Sequence, residues 1–228
     1  MRTAAVIPAY QAERTIGSVV GELTGSDSLN VVVVDDGSSD RTAEIAEAAG
    51  ALVVRHPRNR GKGAALRTGL GRALELGAEV AVTLDADGQH PPTEALRLLA
   101  DPAPAHALVL GIRDLVQAGA PRANRFSNAF SNFFIDLFSG LELGDTQCGL
   151  RRYPVEKTLR LGVRENGYGF EAEVILRAAR ARWTIAQVPV RVIYPPEAER
   201  TTHFRNVRDP ARIVFRVLHT FATAPRHR

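Results

Sequence analysis

Four consecutive β-branched residues, Val31 to Val34, run straight into Asp35-Asp36-Gly37. Successive side chains in a strand point to opposite faces, so a run like this has no wet side. It fits a strand covered on both faces, as in a parallel sheet packed between helices. The surrounding hundred residues agree. Strands are predicted at 3–7, 52–55 and 79–84, alternating with helical patterns at 12–23, 42–49 and 63–76. Gly50 and Gly77 stand where helices stop. The fold class is α/β, with a mostly parallel central sheet and helices on both faces.

Beyond Pro91-Pro92 the pattern loosens. A strand is predicted at 108–112, a helix from near Arg122, a short strand at 149–153 and a helix at 170–180. A further strand, broken by Pro189, is predicted at 184–193, then an Arg-containing loop at 195–205 and a terminal helix at 207–221. The expected organisation is one catalytic domain over 1–205, followed by an amphipathic helix and tail over 206–228. Its first part, 1–112, would bind a nucleotide, and 113–205 an acceptor.

Ligands of parallel α/β sheets gather at the carboxyl ends of the strands, which is where this chain puts its acids. Asp85-Ala86-Asp87 follows the apolar run 80–84. Two carboxylates one residue apart at a strand end repel each other, and a hard cation bridging a diphosphate relieves that repulsion. Gln89 can add an amide oxygen. Taken alone, D-x-D is most often a surface loop; the second acidic strand end, Asp35-Asp36, raises its meaning. A carboxylate there can accept hydrogen bonds from a base imide or a ribose hydroxyl; the alternative for Asp40 is a helix cap in a tight turn. Gly61-Lys62-Gly63 lacks the upstream glycine and the Ser/Thr of a nucleoside-triphosphate loop; it is a helix start that could also assist an anion.

Five motifs occur in order: Val6-Ile-Pro8-Ala9-Tyr10, the run ending Asp35-Asp36-Gly-Ser-Ser-Asp40, Asn59-Arg-Gly61-Lys62-Gly63, Asp85-Ala-Asp87-Gly-Gln89-His-Pro-Pro92, and Asp145-Thr-Gln-Cys-Gly149-Leu-Arg151. Together they resemble glycosyltransferase family 2, in particular the branch of dolichyl- and polyprenyl-phosphate mannose and glucose synthases. The resemblance implies a GT-A type nucleotide-diphospho-sugar transferase fold and a nucleoside-diphosphate sugar as donor. It implies that Pro8, Ala9 and Tyr10 line the nucleobase pocket, with Asp35 or Asp36 reading base or ribose. Asp85, Ala86 and Asp87 would bracket the donor, and Asp87 with Gln89 would hold Mg²⁺ or Mn²⁺. Arg113 would lie near the phosphates and Glu171 near the sugar, so Asp85, Asp87 and Glu171 are the expected catalytic set. Two departures stand out. Ala12 occupies a position often held by an acid, and Arg200-Thr-Thr-His203-Phe-Arg205 replaces the Ser-Lys that often follows the late arginine of mannose synthases.

Charge divides the chain. Residues 1–110 carry 10 Lys+Arg against 14 Asp+Glu, whereas 111–228 carry 19 against 11. An Arg-rich half suits phosphates or an anionic membrane surface, or is simply a solvated basic face. Phe126, Phe130, Phe133, Phe134, Leu137 and Phe138 share one helical face behind Arg122 and Arg125. It reads as a core face or as an interfacial helix dipping rings into a membrane. Arg208, Arg212 and Arg216 repeat at every fourth residue of the terminal helix, a pattern that fits a membrane surface or a partner subunit.

The expected reaction is a metal-dependent inverting transfer of a hexose to a polyprenyl or dolichyl phosphate. Arg113, Arg125, Arg200, His203 and Arg205 are candidates for cradling the acceptor phosphate. A hydroxyl acceptor would instead need a base, with Asp85, Glu171 or Asp145 as candidates. The alternatives are a retaining transferase making a glucosyl phosphoglycerate, an aspartyl-phosphate phosphatase, and a non-catalytic Arg-rich nucleic-acid or phosphate binder. Nucleic acid is not expected as a partner, because it leaves two acidic strand ends unexplained. The lone Cys148 fits a reducing compartment. No signal-peptide pattern or membrane span is read, so a cytoplasmic protein, peripheral at the cytoplasmic membrane face, is expected. A separate membrane protein could assist it there.

Overall fold

The computed structural model describes residues 1–25 and 29–194. The predicted loop at 195–205 and terminal helix at 207–221, with Arg200, His203 and Arg205, lie outside the described residues. Among the described residues there are seven strands and seven helices: β1 (Thr3–Ala9), α1 (Ile16–Thr24), β2 (Leu29–Asp35), α2 (Thr42–Ala48), β3 (Leu52–Arg55), α3 (Lys62–Glu75), β4 (Val80–Thr83), α4 (Pro92–Leu99), β5 (Leu108–Arg113), α5 (Arg122–Ser139), β6 (Arg151–Pro154), α6 (Val155–Arg160), α7 (Phe170–Arg180) and β7 (Ile185–Val190). The strands form one sheet in the order β3-β2-β1-β4-β6-β5-β7. Only β6 runs against the rest, pairing antiparallel with β4 and β5. The carboxyl ends of the other strands and the segment leading into β6 therefore share one rim.

The valine run does what its pattern requires. Val32 and Val34 pack with Ala65, Leu66 and Leu70 of α3 on one side of the sheet. Val31 and Val33 pack with Ile16, Val19, Val20 and Leu23 of α1 on the other. All four valines are buried, and each such side chain contributes about 1.5–3 kcal/mol of burial.

Several boundaries differ from expectation for physical reasons. Helix α1 begins at Ile16 rather than Ala12. Gln11 is left-handed, with φ 53°, and the N–H groups of Gln11, Ala12 and Glu13 donate to Ser38, Thr42 and Asp40 side chains. Those bonds tie the segment before α1 to the β2–α2 turn, and the Ile16 N–H donating to the Ala12 carbonyl at 2.9 Å leads into the helix. Strand β7 is not broken: Pro189 pairs with Ile112 inside a continuous Ile185–Val190 strand. It is the outermost strand of the sheet, where a missing N–H is tolerated. Helices α4 and α6 were not anticipated from the sequence.

Helix α5 corrects the core reading for most of its aromatic face, although Phe138 packs, partly buried, against the core. Ser127, Asn128, Ser131 and Ile135 face inward, whereas Phe126 is 73% exposed, Phe133 63%, Leu137 63% and Phe130 39%. The inward hydroxyls and amides are needed because the neighbouring loop is polar. Thr146 Oγ1 bonds to Ser131 Oγ at 3.1 Å, and Gln147 Nε2 bonds to Ser127 Oγ at 3.2 Å.

Candidate active site

The shared rim encloses a cleft of about 1110 Å³. Following the sheet across it, Pro8, Ala9, Tyr10, Asp36 and Asp40 come first, then Asp85, Ala86, Asp87 and Gln89, and finally Arg113 and Tyr194. Glu171, at the start of α7, and Lys62, the first residue of α3, close the wall.

Lys62 is the residue that sequence reasoning undervalued. Its Nζ lies 2.7 Å from Asp85 Oδ1 and 2.8 Å from Glu171 Oε1. Burial by itself would lower the pKa of the ammonium, but Asp85 and Glu171 outweigh it and hold the pKa above the ordinary lysine value. The same pairing acts on Asp85: burial raises its pKa, and Lys62 more than compensates and holds it below the usual carboxylate range. Gly149 makes this geometry possible, since a Cβ there would sit 2.5 Å from Asp85 Oδ2. Only a glycine lets the backbone before β6 approach the carboxylate so closely.

Asp87 is in the opposite condition. Burial first, and then the neighbouring charge of Asp85, push its pKa up. Its Oδ1 accepts the Gln89 N–H at 2.9 Å. Among the described residues no group of three or more His, Cys, Asp or Glu is arranged to hold a metal. The donor set on the cleft wall is two carboxylates and an amide oxygen, and the charge on Asp87 lacks a compensating cation. That set fits a hard divalent cation that takes one or two carboxylates and completes its shell with phosphate and water.

Arg113 is locked from behind. Its Nε lies 2.6 Å from Asp145 Oδ2 and its Nη2 3.0 Å from Asp145 Oδ1, a bidentate pair. Burial opposes the charge on Arg113, but Asp145 outweighs it and keeps the guanidinium charged. Asp145 is fully buried and also accepts the backbone N–H groups of Arg113, Gln147 and Cys148. It does not line the cleft and has no free proton-accepting face there, so it is not a general base but the brace of Arg113. Arg151, in the same motif, is also a brace. Its guanidinium, wholly buried, donates to the carbonyls of Thr146, Cys148 and Glu171 at 2.7–2.9 Å, tying the Asp145 loop to α7.

Residues 4–159 fit the sequence profile of Glycosyl transferase family 2. The chain belongs to that family. This glycosyltransferase is 30% identical over 212 residues to the UDP-N-acetylglucosamine--dolichyl-phosphate N-acetylglucosaminyltransferase of Methanococcus voltae, covering 83% of this chain and 84% of that one. Its identity to the undecaprenyl-phosphate mannosyltransferase of Micrococcus luteus is also 30%, over 206 residues, covering 85% and 84% of the two chains. The fold is that of GT-A glycosyltransferases. Glucosyl-3-phosphoglycerate synthase from Mycobacterium tuberculosis, solved with Mn²⁺, UDP and glucosyl-3-phosphoglycerate, superposes with a TM-score of 0.71 at 22% identity, covering 97% of this chain and 78% of that one.

Of the expected site residues in this glycosyltransferase, Pro8, Ala9, Tyr10, Asp36, Asp85, Ala86, Asp87, Gln89, Arg113 and Glu171 all line one cleft. Asp35 does not: it is 5% exposed and accepts the Ser38 N–H at 3.0 Å, closing the turn. Arg125 lies in an adjoining depression of about 800 Å³, which shares Arg113 and Leu115 with the cleft and also contains Arg97 and Arg191. Asp40 accepts Thr42 N–H at 3.1 Å just ahead of α2, but the N-cap of that helix is Arg41 and not Asp40, which also reaches the cleft.

Proposed function

We propose that this glycosyltransferase moves a hexose from a nucleoside-diphosphate sugar to a polyprenyl or dolichyl phosphate, with inversion and with a divalent cation. The observation that carries the reading is the cleft itself: the β1 wall, the acids after β4 and the braced Arg113 line a single cavity, with a second, arginine-bearing depression opening beside Arg113. Both relatives named above carry dolichyl-phosphate or undecaprenyl-phosphate in their names and match 83% and 85% of this chain. Residues 1–112 would serve the donor and 113–205 the acceptor.

In this reading Pro8, Ala9 and Tyr10 hold the base, and Asp36 contributes whatever acceptor capacity its internal bonds leave. Asp87 and Gln89 would hold Mg²⁺ or Mn²⁺, which when bound supplies Lewis-acid stabilisation to the departing diphosphate. Arg113 is prevented from rotating by Asp145 and offers its remaining N–H donors to the phosphates. Such donors stabilise developing charge without reorganising at the moment of reaction. Glu171, anchored by Lys62, faces the sugar. An acceptor phosphate monoester is largely ionised at neutral pH, its second pKa being about 6, so the attacking oxygen needs no strong base.

The exposed rings of α5, with Arg122 and Arg125 at its start, support work at a membrane face. Among the described residues no helix is long and apolar enough to cross a membrane. The test is product analysis. Nucleotide sugars with Mn²⁺ are supplied together with undecaprenyl phosphate or with 3-phosphoglycerate, using the wild type and Asp87→Ala. Lipid-linked sugar from the wild type and none from Asp87→Ala is expected. Transfer only to 3-phosphoglycerate, or full turnover by Asp87→Ala, refutes the reading.

A further inference from the structure

Behind the cleft, Asp36 pairs with His56, a buried side chain that this chemistry does not use. Asp36 is 3% exposed and His56 7%, and His56 Nδ1 lies 2.6 Å from Asp36 Oδ1. An ionised carboxylate can only accept, so Nδ1 carries the proton of that bond. On its other side His56 Nε2 meets Thr68 Oγ1, on the second turn of α3, at 3.0 Å. Asp36 also accepts the backbone N–H of Arg60 at 3.0 Å and of Gly61 at 2.7 Å. Gly61 is the N-cap of α3, at φ 97°, and a Cβ there would press to 2.4 Å from the Asn166 carbonyl oxygen. The start of α3 is thus gripped at two points, Gly61 and Thr68, and wedged against the segment before α7.

The residue that follows Gly61 is Lys62, whose ammonium bridges Asp85 and Glu171. We infer that Asp36 and His56 form a positioning clasp that sets Lys62 against Asp85 and Glu171 and so shapes the donor site without touching the reacting atoms. This rests on the donor-site reading above. The clasp explains why Asp36 is so fully engaged internally: its carboxylate takes one side-chain and two backbone hydrogen bonds from the loop that delivers Lys62. A lysine on a flexible four-carbon stem bridges two carboxylates reliably only if its Cα is fixed.

The test is a double-mutant cycle read by nucleotide affinity, independent of turnover. UDP and GDP are titrated calorimetrically with Mn²⁺ into the wild type, His56→Ala, His56→Asn, Lys62→Met and the His56→Ala/Lys62→Met double variant. His56→Ala is expected to weaken binding roughly tenfold, and His56→Asn, whose amide still reaches Asp36, to recover most of it. In the Lys62→Met background His56→Ala is expected to add almost nothing, because contacts acting through one group are not additive. A crystal structure of His56→Ala should show the Lys62 ammonium displaced from Asp85 and Glu171. If His56→Ala is too unstable to titrate, Thr68→Val, which loosens only the α3 end of the grip, carries the same comparison at about twofold. Additive losses, unchanged affinity in His56→Ala, or Lys62 unmoved in its structure would each overturn the clasp while leaving the donor site intact. A wild type that binds neither nucleotide sinks the donor-site reading, and the clasp falls with it.

Discussion

Replacing Asp145 with Asn changes one atom's identity and almost no volume, yet it should be among the most damaging conservative substitutions in the chain. Asp145 Oδ1 accepts from Arg113 Nη2, Gln147 N and Cys148 N, and Oδ2 accepts from Arg113 Nε and Arg113 N. An amide NH₂ in either position points a donor at donors. Whichever way the Asn turns, at least one guanidinium bond is lost and the remaining buried charge is uncompensated. Breaking a buried ion pair by removing one partner costs about 3–5 kcal/mol. For a chain of this length each kcal/mol lowers Tm by about 2–4 °C, so a drop of about 6–20 °C is expected by calorimetry. Nucleotide affinity should fall as well, because Arg113 loses its brace. A Tm within about 2 °C of wild type would refute the reasoning, because it would mean that Arg113 finds another partner or that the pair carries no net stability.

Gly149→Ala should leave Tm nearly unchanged while lowering nucleotide affinity in the presence of Mn²⁺ by roughly tenfold or more, since the new Cβ lands 2.5 Å from Asp85 Oδ2; wild-type affinity would show that Asp85 has room to move. Cys148 is fully buried and its thiol pKa is pushed up to about 12, by burial above all, so Ellman's reagent at pH 8 should react only after denaturant is added. Asp40 is held below its ordinary pKa despite partial burial, by hydrogen bonds from Thr42 and Glu13. A depressed carboxylate contributes stability that is full above its unfolded pKa and is lost as pH falls through the folded one. Asp40→Asn should therefore cost stability at pH 7 but progressively less below about pH 4; an equal loss at pH 7 and pH 3 would contradict this.

The parts of this molecule that could be read from the chain are those where one physical signal dominates. The valines of β2 are apolar on both sides, and the carboxylates after β4 follow an apolar strand. Their positions at the rim follow from sheet topology alone. The braces were hidden because their meaning is relational. Asp145 looks like any rim acid until Arg113 is found on it, and Arg151 looks like a surface cation until three carbonyls surround it. Lys62 sits in a glycine-flanked triplet that says only where a helix begins. Helix α5 stays open between two readings at the level of sequence for a different reason. Periodicity reveals that a helix has two unlike faces but not which one turns inward, and here the neighbouring loop of Thr146 and Gln147 demands hydroxyls.

That inverted helix has a practical consequence for anyone handling the protein. Phe126, Phe130, Phe133 and Leu137 present a greasy strip to water, and contiguous apolar surface of this kind lowers solubility and favours sticking. Loss of protein to surfaces and self-association in plain buffer, reduced by a mild detergent, are the expected outcome.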